Sequence, residues 1–212
     1  MKRTMKNFLI LLLIILLFPI KSFGLIEVDI TRGNLNPLPV AVSPLSIDDK
    51  SKKSFESLLN KKNIGEEISS VVENNLRISG LFNPLSKDAF LQAPDIANLK
   101  PRFEDWNLIK AQALITGKVT NVDNKLRVEF RLWDVLAGKE MMALAFTTVP
   151  TNWRRVGHII SDKVYERLTG EKGYFDTRII YVAEEGPKTR RIKKLAIMDQ
   201  DGANNKFLTL GN

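Results

Sequence analysis

The sequence predicts an α+β domain, with two main helices on a mixed sheet, followed by the start of a second, all-β unit. Apolar residues recur with the helical period over 64–79 and 153–169. Residues 125–134 alternate strictly between apolar and polar side chains, which is typical of a sheet with one covered face. A short joint containing glycine follows the second helix, and β-patterned segments follow the joint.

Residues 1–24 have the three-part pattern of a secretory signal peptide. Basic residues precede an unbroken apolar run over 8–18, and Pro19 and small residues follow it. We therefore predict cleavage between Gly24 and Leu25 and a mature chain in the periplasm. An uncleaved membrane anchor is the alternative, although the run is shorter than the roughly 20 apolar residues of a spanning helix.

Export changes the interpretation of the charge. The formal net charge is +8, and removal of the four cations Lys2, Arg3, Lys6 and Lys21 with the signal lowers it to +4. The remaining basic residues are scattered, which disfavours nucleic-acid binding. The chain contains no cysteine, so disulfides, thiolate metal sites and cysteine nucleophiles are excluded.

The first mature domain is predicted over 25–169 and begins with a segment suited to strand addition. Alternating apolar and acidic residues indicate either an edge strand or an arm that pairs with the sheet of a partner. The arm consists of Ile26, Glu27, Val28, Asp29, Ile30, Thr31, Arg32 and Gly33.

The remainder of this domain is predicted from strand and turn signals. Pro94 and Pro101 indicate a loop after residue 85. The other predicted elements are short strands at 38–45 and 82–85, a surface helical turn with a loop at 47–62, a short helix at 103–111, and strands at 113–120, 125–134 and 139–149.

The first main helix, at 64–79, also has end signals. Asn63 and Glu66 have the spacing of a capping box, and Gly80 suits a left-handed turn at the helix end. Glu66, Glu67 and Glu73 lie on or beside the polar face without a His or Asp cluster nearby in sequence. We interpret them as a solvated surface rather than a carboxylate site.

The only histidine, His158, lies on the second main helix, about 200° around the helix from Val156. This position predicts an exposed side chain without a nucleophile or a metal partner. We therefore expect a protein that is not an enzyme and has no cofactor or metal. The alternative, a periplasmic hydrolase, needs a convergent nucleophile, base and oxyanion donor, and no such set is evident in the sequence.

Residues 170–177 form the predicted junction and 178–212 the second unit, with strands at 178–183, 193–198 and 207–210. The Asp-Gly pair at Asp201 predicts a tight turn rather than the opening of a calcium loop. Three such strands make most of one β-propeller blade, which needs neighbouring blades to bury its faces. We therefore expect an incomplete blade from a truncated or fragmentary chain.

Two segments have the most specific sequences in the chain: GHIISDKVYERLTGEKGYFDTRIIYV (157–182) and MDQDGANN (198–205). Together with LRISGLFNPL (76–85), ITGKV (115–119), the arm and the signal, they resemble the TolB family, the periplasmic component of the Tol-Pal system of Gram-negative bacteria. The resemblance covers essentially the whole chain and corresponds to the N-terminal half of such a protein. The lysine-rich stretch at 48–62 is longer than the family pattern suggests.

The resemblance implies an α/β N-terminal domain followed by a six-bladed propeller, without enzymatic activity. It implies a role in outer-membrane invagination during cell division and in outer-membrane integrity. The arm at 26–33 would contact a TolA-like inner-membrane protein, and the propeller of the longer relatives would bind a Pal-like lipoprotein. Most of that propeller surface does not carry over to this chain. Neither a nucleic acid nor a small-molecule substrate is expected.

Overall fold

The first domain is built on a mixed six-stranded sheet in a computed structural model that describes residues 36–61 and 63–211. Its strands are β1 (Leu38–Val42), β2 (Ser46–Ile47), β3 (Phe82–Pro84), β4 (Ala113–Val122), β5 (Lys125–Asp134) and β6 (Lys139–Thr148). The order is β3-β1-β4-β5-β6, and β2 pairs with β4. Strand β1 is parallel to β3 and β4, whereas β4, β5 and β6 form antiparallel hairpins. The predicted strands are confirmed with small shifts at their ends.

The predicted signal peptide over 1–24, its cleavage point between Gly24 and Leu25, and the arm over 26–33 lie outside the described residues. Among the residues that are described, no helix combines the length and the apolar composition that a membrane span requires.

The helices are α1 (Asp49–Leu59), α2 (Ile64–Ile78), α3 (Pro94–Leu99), α4 (Phe103–Leu108) and α5 (Trp153–Thr169). Both predicted main helices, α2 and α5, are confirmed, and they pack with one face of the sheet into the larger apolar core. The capping prediction for α2 is also confirmed, because the Asn63 side chain accepts a hydrogen bond from the Glu66 backbone amide and Gly80 has a φ of +74°. The stretch predicted as a surface turn is the 11-residue helix α1.

One face of the sheet is fully covered along β5, as predicted, whereas its other face is covered only behind β1 and β4 and stays partly exposed along β5 and β6. Strand β5 has the predicted alternation, with the apolar side chains from Leu126 to Leu132 at most 1% exposed. A second apolar cluster lies behind β1 and β4, where Trp106 packs near Leu114 and Ala97. Ala97 belongs to α3, a helix within the stretch predicted as a loop. Pro94 does not indicate a loop here, because it occupies the first turn of α3. Backbone N–H groups in a first turn make no hydrogen bond within the helix, so a proline is tolerated there.

Helices α2 and α5 approach each other closely at Gly157. A Cβ atom at this position would lie 2.9 Å from Cβ of Val71. Because real Cβ atoms do not come this close, the two helices can approach each other here only with a glycine at position 157. This contact positions the first turns of α5 beside the C-terminal half of α2.

A second sheet follows the junction and contains β7 (Arg178–Glu185), β8 (Ile192–Asp199) and β9 (Lys206–Phe207). The three strands are antiparallel in the order β7-β8-β9, as predicted. The predicted tight turn between β8 and β9 is confirmed, since the Gly202 amide donates to the Asp199 carbonyl at 2.9 Å.

Candidate functional site

The junction between the two sheets is folded back onto α5. The Asp162 carboxylate accepts hydrogen bonds from the backbone amides of Phe175, at 2.6 Å, and Asp176, at 3.1 Å. The Phe175 side chain is completely buried, and its ring meets that of Tyr165 edge to face with centroids 5.8 Å apart. The junction is therefore held against α5 by specific backbone and ring contacts.

Two arginines in the first turn of α5 contact carboxylates in the junction and beyond it. Arg154 donates through Nη2 to Oδ2 of Asp201, and its Nε lies 3.8 Å from Oδ2 of Asp199. The Asp201 side chain is only 1% exposed, so this ion pair is largely shielded from water. Arg155 binds both oxygens of Asp176 at 3.0 to 3.1 Å, but its side chain is 62% exposed.

His158 lies buried where α5, α2 and the turn after β8 meet, a contact region between the two units that we call the joint. This position corrects the prediction that His158 is exposed on the polar side of its helix. Only 3% of its surface is exposed. The angular position about 200° from Val156 was read correctly, but that side of α5 faces α2 and the turn between β8 and β9. Its Nδ1 lies 2.9 Å from Nδ2 of Asn75, and its Nε2 lies 3.9 Å from Oδ2 of Asp201.

Asn75, on the apolar side of α2, connects the elements that meet here. Its Nδ2 donates to Ser161 Oγ at 2.9 Å, and its Oδ1 accepts from Nε2 of Gln200 at 3.0 Å. Gln200 belongs to the turn after β8, so this hydrogen bond joins the second sheet to the first domain. We call Asn75, His158, Ser161 and Gln200 the Asn75 network.

The Asn75 network fixes the tautomer of His158. The Ser161 hydroxyl donates to the Gly157 carbonyl at 2.9 Å, so it accepts from the Asn75 amide. Gln200 donates to the oxygen of the Asn75 amide, and the NH₂ group of Asn75 therefore faces His158 Nδ1. Nδ1 therefore accepts, which assigns the proton of neutral His158 to Nε2, a buried atom that has no hydrogen-bond partner among the described residues. Burial is the main cause that lowers the pKa of His158, and the nearby Asp201 carboxylate opposes that effect only in part.

His158, Asp199 and Asp201 place three ligand-type atoms within 4.8 Å of one another. The donor set does not suit a cation, for two reasons. Oδ2 of Asp201 is already bonded to the Arg154 guanidinium, which supplies a positive charge at the position of an ion. Nε2 of His158 carries the proton and lacks the lone pair that a metal needs. The cluster is an ion-paired contact between two folded units.

A polar cleft of about 400 Å³ opens at the same joint, beside the start of α5. Its charged walls are Arg154, Arg155, Arg178, Asp176 and Asp199. Each arginine of the cleft is ion-paired, Arg155 with Asp176, Arg178 with Asp199, and Arg154 with Asp199 and with Asp201 behind the wall, so among the described residues no unpaired cation faces a substrate anion. Ser161 is completely buried and donates its proton to a backbone carbonyl, which makes it unsuitable as a nucleophile for His158.

Both faces of the second sheet carry exposed apolar side chains. Ile180 and Val182, 62% and 58% exposed, lie on one face. Ile179 and Phe207, 40% and 52% exposed, lie on the other. A sheet in a water-soluble domain has at most one apolar face unless another layer covers it. This pattern is typical of a sheet stacked between neighbours.

The contacts of Asn75, Arg154 and Gln200 were not predicted from the sequence. One signal was available: Asn75 is eleven residues after Ile64, on the stripe that Ile64, Ile68 and Val71 define. A polar residue on an apolar stripe requires a buried hydrogen-bond partner. Of the three glutamates of α2, Glu67 pairs with Lys61, and Glu73, 19% exposed, pairs with Arg77 and Lys87.

The fold and the joint define a class of protein in which a mixed α/β domain is coupled through buried polar contacts to a stackable β-sheet. Residues 26–141 match the model of the TolB amino-terminal domain. The chain therefore belongs to the TolB family.

Two relatives support this assignment. The chain is 82% identical over 202 residues to the Tol-Pal system protein TolB of Pelagibacter ubique (strain HTCC1062), a match that covers 95% of this chain and 45% of that protein. The crystal structure of TolB from Acinetobacter baumannii has the same fold, with a TM-score of 0.65 at 24% identity over 87% of this chain and 41% of that one. The chain thus spans less than half the length of both relatives.

Proposed function

We propose that this chain is a non-catalytic periplasmic protein of the Tol-Pal system that acts through protein–protein contacts. Its role is in outer-membrane invagination during cell division and in outer-membrane integrity. The observation that carries the proposal is the 82% identity to a Tol-Pal system protein TolB over nearly the whole chain. The self-paired charges of the cleft and the buried Ser161 support a role without catalysis.

In this proposal, residues 25–169 form the partner-binding domain and residues 178–212 form part of a propeller. Two exposed apolar faces on the second sheet support the propeller assignment, because stacked blades cover both faces. Residues 1–24 are the signal, cleaved before Leu25. N-terminal sequencing of the exported protein tests the cleavage, and a chain that begins at Met1 would indicate a membrane anchor instead.

The arm, Ile26–Gly33, is proposed to bind a TolA-like inner-membrane protein by adding a strand to its sheet. The alternation of apolar and acidic side chains suits this mode, in which backbone hydrogen bonds give affinity and alternate side chains give specificity. A Pal-like lipoprotein would bind the propeller of longer relatives.

Deletion of residues 25–33 tests the arm directly. We expect loss of pull-down by the TolA-like protein of the same organism, together with an unchanged thermal unfolding transition. The matched control keeps the length and composition of the arm but reverses its sequence order. Binding that survives the deletion would refute the arm as the contact.

A further inference from the structure

The hydrogen-bonded link between the buried ring of His158 and the second sheet runs through the Asn75 side chain, since Oδ2 of Asp201 lies 3.9 Å from Nε2, beyond hydrogen-bond distance. Asn75 receives the Gln200 hydrogen bond on its oxygen and directs its nitrogen to His158. Rotation of the Asn75 amide about its last bond exchanges both ends at once. A change at His158 Nδ1 is therefore transmitted to Gln200 through the amide.

We infer that the contact between the α/β domain and the turn after β8 is proton-sensitive, with His158 as the sensor. A proton on Nδ1 places two donors, Nδ1–H and the Asn75 NH₂ group, against each other at the present separation of 2.9 Å. The Asn75 amide must then rotate or withdraw, and either movement removes the acceptor that Gln200 uses. Protonation therefore loosens the second sheet from the first domain.

Charged groups from the second sheet, the junction and α5 face His158 and set the direction of the effect. Asp199 at the end of β8, Asp201 in the turn after it and Asp176 in the junction favour the protonated ring, whereas Arg154 from α5 opposes it. Burial is the largest contribution, and the pKa of His158 is lowered below 6.5. Because the folded joint holds the neutral ring, its stability is complete above the ordinary pKa and falls as the pH drops towards the lowered pKa.

The tautomer and the titration are measurable without mutation, since the chain has one histidine. NMR of the ¹⁵N-labelled imidazole in the full chain should show the neutral ring protonated on Nε2 and a titration midpoint below that of free histidine. A ring protonated on Nδ1, or a midpoint at or above the free value, would overturn the inference.

The movement itself is measurable because no native cysteine interferes with labelling. Spin labels at Ser57→Cys on α1 and Thr189→Cys beyond β7, both exposed positions, report the separation of the two units. As the pH falls from about 7.5 to about 5, we expect a second, longer distance to appear. Let the pKa of His158 in the open form exceed its pKa in the closed form by a given number of units. Acidification should then raise the ratio of open to closed forms about tenfold for each of those units.

Two variants separate the mechanism from general acid destabilisation. His158→Gln cannot titrate and should show the same distance at both pH values. Asn75→Asp supplies a carboxylate that accepts from protonated Nδ1, so it should raise the histidine pKa and keep the joint closed at about pH 5. If the unsubstituted protein shows one distance throughout, or if Asn75→Asp opens with the same midpoint, the inference fails.

Discussion

Asp162 holds the junction to α5, because its carboxylate accepts hydrogen bonds from two backbone amides of the junction. Asp162→Ala should lower the free energy of unfolding by about 2 kcal/mol, the range for hydrogen bonds to a charged group. It should also increase hydrogen exchange at the amides of Phe175 and Asp176. Lys163→Ala is the matched control, since Lys163 pairs with the exposed Glu166 on the surface of the same helix. Equal exchange in both variants would contradict this role.

His158 shows why single residues are the hardest scale to predict from sequence. Its angle on the helix was predicted correctly, yet its burial was not, because α2 and the turn after β8, which cover it, are distant in sequence. Helical periodicity identifies one buried face, and α5 has a second where it meets α2 and the turn. Asn75 was recognisable only as an exception to an apolar stripe.

At the scale of elements, end signals and periodicity were sufficient for most of the fold. Helix α2 was predicted by its stripe and its Asn63 cap, and β5 by strict alternation. Helix α3 was missed because its six residues are too few for a periodic pattern. Its position depends on Ala97 packing in the cluster with Trp106, a contact that local sequence does not encode.

Helix α1 depends on the cap that Asp48 provides. The Asp48 side chain accepts from the Ser51 backbone amide at 2.9 Å, and this bond is the main cause of its lowered pKa. Asp48→Ala should cost about 1 kcal/mol at neutral pH. Because the folded pKa lies below the ordinary 3.8, the carboxylate's contribution is complete above that value and is lost as the pH falls through the lowered pKa.

Denaturant unfolding of the parent and Asp48→Ala across this acidic range measures the effect. The difference between them should shrink as the carboxyl group becomes protonated. Asp49→Ala serves as the control, since Asp49 is an acidic neighbour within the first turn but does not provide the cap. A difference that stays constant with pH would contradict a charged cap.

The packing of α2 on α5 depends on Gly157. Alanine normally stabilises a helix interior by up to about 1 kcal/mol relative to glycine. Here Gly157→Ala should instead destabilise the protein, because the added methyl group meets Val71 at 2.9 Å. Unfolding by urea measures the change, and Val71→Ala in the same chain should recover part of the loss. Additive effects of the two substitutions would contradict a direct contact.

For the whole molecule, the connection between its two units depends on the Arg154–Asp201 ion pair. With Asp201 only 1% exposed, Arg154→Met leaves a buried carboxylate without its partner. Such a loss typically costs about 3 to 5 kcal/mol. Because the pair joins α5 to the turn after β8, this cost should fall on the contact between the units rather than on either core. We therefore expect proteolysis within 170–177 to accelerate before the α/β domain unfolds.

A double-mutant cycle distinguishes this pair from ordinary surface charge. Asp201→Asn removes the buried carboxylate charge that Arg154→Met leaves unpaired. The double variant should therefore lose less unfolding free energy than the sum of the losses in the two single variants. The Arg155–Asp176 pair, with Arg155 62% exposed, provides the matched control and should couple by less than about 1 kcal/mol. If the two cycles give the same coupling energy, the units are not joined through Asp201. A larger coupling for Arg154 and Asp201 would place the link between the units at the first turn of α5.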